Sequence, residues 1–100
     1  MYKNTREEEI LVQAFKLAND THIIRDFLRD LLTEQELKYC INRLKAAGML
    51  LDGASYTDVQ KFTGLGSKTI SAISKKLINK QGGYQQILHR SNPYGQRYFD

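Results

Sequence analysis

Ser55-Tyr56-Thr57-Asp58-Val59-Gln60-Lys61-Phe62-Thr63-Gly64-Leu65-Gly66-Ser67-Lys68-Thr69-Ile70-Ser71-Ala72-Ile73-Ser74-Lys75-Lys76-Leu77 spells a short helix, a tight glycine turn and a second helix. Gly64 can enter the left-handed region and end the first helix, and Leu65 then points inward to pin the turn. Val59, Leu65, Ile70, Ile73 and Leu77 supply the apolar contact that holds the two helices together. The outline is a helix-turn-helix at about residues 55–79.

On the second helix Ile70, Ile73 and Leu77 share one side, which leaves Lys68, Ser71, Ala72, Lys75 and Asn79 on the other at helical spacing. That outer face is small, polar and basic. It suits the major groove of double-stranded DNA, where hydroxyls and short side chains approach base edges while lysines neutralise phosphates. Ser67, Lys68, Thr69 and Ser71, with Ala72 beside them, occupy the end of the helix that meets bases and are assigned to readout. Lys61, Lys75 and Lys76 are assigned to phosphates. Ser55, Tyr56 and Thr57 open the first helix, where free N–H groups and hydroxyls can hold a phosphate oxygen.

Charge supports the placement. Residues 1–40 carry six basic side chains against eight acidic, whereas residues 53–80 carry five lysines against Asp58 alone. The positive field is therefore concentrated on the helix-turn-helix, where an anionic partner should dock.

Upstream, Thr5-x-x-Glu8, Thr33-x-x-Glu36 and Ser55-x-x-Asp58 each match the pattern in which a hydroxyl and a carboxylate satisfy the open N–H groups of a helix start. Ile10, Leu11, Ala14, Phe15, Leu17 and Ala18 predict a first helix to about Asn19. Asp20 or Thr21 is placed to cap a second, whose Ile23, Ile24, Phe27, Leu28, Leu31 and Leu32 make a stripe wider than one packing face needs. A third helix runs from Glu34 to about Leu51, with Leu37, Cys40, Ile41, Leu44, Ala47, Leu50 and Leu51 on one broad side, and stops before Asp52-Gly53. Three such helices hold more apolar surface than one copy of a 100-residue chain easily covers, so residues 1–52 read as a dimerisation core. Residues 1–90 thus form a single helical domain closed by a short helix at about 83–89, and 91–100 form a tail.

Other chemistries find little footing. Gly64-x-Gly66-Ser67-Lys68-Thr69 lacks the full spacing of a phosphate loop and follows a helix where such a loop follows a strand. His22 and His89 stand in no metal-ligand pattern, so no metal and no cofactor are expected. The lone Cys40 has no second thiol and no neighbouring His, and reads as core. Glu7-Glu8-Glu9 complements a helix dipole at a first turn. Nothing points to catalysis, to a membrane span or to a secretory signal, and a cytoplasmic protein is expected. The competing reading is a helical adaptor whose basic segment docks an acidic protein partner.

Leu31-Leu32-Thr33, the long third helix ending Leu50-Leu51-Asp52-Gly53, and Gly64-Leu65-Gly66-Ser67-Lys68-Thr69-Ile70-Ser71 together resemble the tryptophan repressor family, and within it the YerC/YecD-type branch. The resemblance covers about residues 5–90. It implies an all-α fold, an intertwined six-helix homodimer in which the first three helices of both subunits interlock, and a last helix that returns to the partner. In that family tryptophan sits between an arginine of the third helix and an arginine of the recognition helix, admitted by an adjoining glycine. Arg43 falls at the first position and remains available to a ligand or a phosphate. Ala72 replaces the second arginine and Ile73 the glycine, so the resemblance implies that Ile73 does the wedging of the indole and that DNA binding is independent of tryptophan.

Overall fold

The computed structural model describes residues 6–90, which form six α-helices and, among the described residues, no strand: α1 (Arg6–Leu17), α2 (Thr21–Leu31), α3 (Glu34–Leu51), α4 (Tyr56–Thr63), α5 (Ser67–Ile78) and α6 (Gly83–Arg90). The cap expected at Thr5 and the tail expected at 91–100 lie outside the described residues. The chain makes two compact units, one through Leu37 and one from Lys38, the boundary falling in the first turn of α3.

In the first unit α1 stops at Leu17, two residues before the expected Asn19. Asp20 must leave helical geometry (φ −132, ψ 141) to cap α2, and its carboxylate accepts the N–H groups of His22 at 2.7 Å and Ile23 at 3.4 Å. Phe15 meets Phe27 edge to face, with ring centres 5.3 Å apart. Neither helix buries a side chain, and Ile10 and Leu17 are 70% and 80% exposed. The capping box before α3 is complete. The Glu36 N–H donates to Thr33 Oγ1 at 3.1 Å and the Thr33 N–H to Glu36 Oε1 at 2.9 Å. The Thr33 backbone N–H, and next its hydroxyl, hold the Glu36 carboxyl below its usual range.

The second unit holds the core: Ala46 and Ala47 of α3, Val59 of α4, Leu65 of the turn, and Ile70 and Ile73 of α5, with Met49, Leu50, Leu77, Tyr84 and Leu88 packed around them. Two adjacent alanines on α3, both fully buried, face this cluster. α3 ends in a Schellman motif at Gly53 (φ 91), where Gly53 N–H donates to Leu50 O and Ala54 N–H to Met49 O. Cys40, expected in the core, is exposed. The core contacts of α3 gather around Ala46 and Ala47, so the turn that carries Cys40 and Ile41 is left open.

Candidate nucleic-acid interface

α4 begins where Ser55 Oγ accepts the Asp58 N–H at 3.1 Å. It ends at Gly64, in the left-handed region at φ 75 and ψ 5, whose N–H donates to Gln60 O. Thr63 is buried and locks the turn from both sides: its hydroxyl donates to Val59 O at 2.7 Å and accepts the Leu65 N–H at 3.2 Å. A Cβ on Gly64 would meet nothing within 4 Å, so any penalty for adding one lies in the backbone alone. Gly64→Ala is expected to cost about 1–2 kcal/mol in urea unfolding; unchanged stability would show that the turn relaxes to negative φ.

α5 starts at Ser67 with no side chain capping it, so the amides of its first turn keep open hydrogen-bonding capacity. Ser67, Lys68, Ala72, Lys75 and Lys76 are exposed, and Thr69 and Ser71 are half-buried beside them. Tyr56, Thr57 and Lys61 are exposed on α4. The two helices pack directly on each other, so the residues assigned to bases and phosphates are carried by one contiguous helix pair. Asn79 stands just past the end of α5, and its side chain accepts the Gln81 N–H at 3.0 Å, which commits it to the α5–α6 turn. From residue 38 to 88 the sequence has eight basic side chains against Asp52 and Asp58. This unit is strongly cationic.

Sequence reasoning missed the supports behind α5. The Tyr39 hydroxyl accepts from Arg43 Nη1 at 3.5 Å, and the guanidinium lies 5.6 Å from the Tyr39 ring centre. The bond from Arg43 foremost, and next the nearby Thr69 side chain, hold the Tyr39 phenol below its ordinary range. The Tyr39 hydroxyl foremost, and also the nearby Tyr84, favour the protonated form of Arg43. Arg43 is thus held between two tyrosines, one of which reaches a readout residue. The spacing of Tyr39 and Arg43, one helical turn apart, was a signal in the sequence; their links to Thr69 and Tyr84 had none. Gln85 is a further support, buried, with its Nε2 donating to Leu77 O at 2.8 Å at the end of α5.

Ile73 is fully buried in the core while Ala72 is exposed. The place that the family resemblance gives to a glycine is therefore filled by a branched side chain. Among the described residues no helix is long and apolar enough to cross a membrane, and no group of three His, Cys, Asp or Glu side chains is placed to hold a metal. His22 pairs with Asp26 at 3.4 Å across one turn of α2.

The profile of the Trp repressor protein family matches residues 7–92. Among solved structures, a TrpR-like protein from Eubacterium eligens ATCC 27750 superimposes with a TM-score of 0.77 at 30% identity, covering 90% of this chain and 93% of that one. A search of curated protein sequences found no match. With the glycine-turned helix pair, the cationic unit around it and a family match over most of its length, this chain belongs to the Trp repressor protein family of helical DNA-binding regulators.

Proposed function

We propose that the chain is a sequence-specific transcriptional repressor, acting in the cytoplasm as a homodimer on a roughly two-fold symmetric operator, and that it needs no tryptophan. The observation that carries this reading is the pairing on α5 of a buried Ile73 with an outer face of Ser67, Lys68, Thr69, Ser71 and Ala72. The helix is held from within by its own side chain and offers hydroxyls and short groups outward. Lys61, Lys75 and Lys76 neutralise flanking phosphates, with Tyr56 and Thr57 at the start of α4 beside them. The uncovered apolar residues of α1 and α2 favour a second copy, which sets two recognition helices about 34 Å apart in successive major grooves. Repression follows by occlusion of the site.

Genomic DNA fragments recovered on the purified protein at near-physiological salt, without added tryptophan, are expected to share a palindrome. Absence of enrichment with and without amino acids sinks the reading in favour of an adaptor for an acidic protein.

Tyr39 orients Thr69 in this scheme. Tyr39→Phe keeps the ring and removes the hydroxyl, and is expected to lower affinity for the selected operator by about three- to tenfold, relaxing base preference where Thr69 reads. Fluorescence anisotropy on operator variants measures both effects. Unchanged affinity and preference would leave Tyr39 with a packing role only.

A further inference from the structure

α5 has to be aimed as well as formed. No side chain caps its reading end, and Ile70 and Ile73, one turn apart, fix it in the core. Anchors so close together constrain the direction of a helix axis weakly. A further anchor stands at the other end.

There Asn79 leaves helical geometry (φ −78, ψ 103) and ends the helix. The Gln81 N–H, which would continue the ladder to the Leu77 carbonyl, donates instead to Asn79 Oδ1 at 3.0 Å. Gln85 of α6 takes up the Leu77 carbonyl, its Nε2 donating to it at 2.8 Å. Gln85 is 8% exposed, so losing this bond leaves a carbonyl without water to replace it. The turn between the two helices is tight. Gly82 N–H donates to Asn79 O at 2.9 Å, Gln86 Nε2 donates to Gln81 O at 2.6 Å, and a Cβ on Gly82 would stand 3.1 Å from the Asn79 carbonyl oxygen. Tyr84 and Leu88 pack α6 against the core, so the Gln85 amide reaches α5 from a fixed base.

We propose that Gln85 is a positioning residue for base reading: through the Leu77 carbonyl it sets the direction of α5, and with it which base edges Ser67, Thr69 and Ser71 meet. The inference rests on the DNA-binding reading. Ser67 and Leu77 are about 15 Å apart along the axis, so a tilt of about 5° displaces one end relative to the other by about 1.3 Å. Such a shift breaks a hydrogen bond to a base, whose donor and acceptor must lie within about 3.2 Å. Long lysine side chains can follow a phosphate across it. Loss of the tether therefore falls on sequence discrimination, since phosphate contacts carry none.

Gln85→Met keeps the length of the side chain and removes its donor, and Gly82→Ala crowds the same joint without touching a DNA-facing group. Neither changes a charge. Anisotropy on the full chain, at fixed salt and well below each variant's own melting temperature, gives affinity for the selected operator and for random DNA of equal length. Discrimination between the two is expected to fall about tenfold in Gln85→Met and in the same sense in Gly82→Ala, while affinity for random DNA stays within about twofold of wild type. Equal losses on both DNAs, or a lowered melting temperature with discrimination intact, would leave Gln85 a structural residue and overturn the proposal. Circular dichroism reports folding; if Gln85→Met does not fold, Gly82→Ala decides, and discrimination equal to wild type in that variant overturns the proposal. A wild-type protein that fails to discriminate refutes the proposed function, and the role of Gln85 falls with it. Discrimination that wild type shows and both variants keep sinks the role of Gln85 alone.

Discussion

Truncating Ile73 to alanine is expected to remove about 2–5 kcal/mol of stability, whereas Ile73→Val should cost only about 0.5–1.5 kcal/mol. The side chain is fully buried among Ala46, Ala47, Val59, Leu65 and Ile70. Its α3 neighbours Ala46 and Ala47 are too short to fill the gap, so only the surrounding Met49, Leu50, Leu77 and Leu88 can relax towards it. Urea unfolding at fixed protein concentration measures the loss. If Ile73→Ala falls within the error of wild type, the residue does not lock α5 to α3. In the same scheme millimolar tryptophan leaves the melting temperature of the wild type unchanged, and a rise accompanied by tighter DNA binding would refute a built-in wedge.

Replacing Lys61, Lys75 and Lys76 together by alanine should flatten the dependence of log affinity on log salt by about 3, with a loss of about a hundredfold near 0.15 M salt. The loss should be nearly equal for operator and random DNA, because phosphate contacts carry no sequence information. All three side chains are exposed, so the fold should survive the change. Anisotropy titrations at several salt concentrations supply the slope. A slope equal to wild type removes these lysines from the interface, and a loss confined to the operator would move them from phosphates to bases.

Much of the local architecture was readable in advance because it is written over three or four residues. Thr33 with Glu36 and the left-handed Gly64 depend on neighbours in the chain and stand where their patterns placed them, while at Ser55 the hydroxyl half of the pattern forms with the Asp58 N–H. The choice between Asp20 and Thr21 as the α2 cap was open, and hydrogen bonds from two amides settle it for Asp20. What escaped is long in sequence. Tyr39 with Thr69, Arg43 with Tyr84, and Gln85 with the Leu77 carbonyl join residues on different helices, and no periodicity announces them. Cys40 failed for another reason. Periodicity puts a residue on the apolar side of a helix, but it does not say whether the same chain reaches far enough to cover that side.

α1 and α2 order themselves with no buried side chain in either helix. On the homodimer reading, the free energy that holds them comes from association and grows with the logarithm of subunit concentration. A newly made subunit at low abundance is then the protease-sensitive form, and pairing is what protects it. Steady-state level responds more steeply than linearly to synthesis, so a cell that slightly lowers expression sheds this protein faster than dilution by growth alone would.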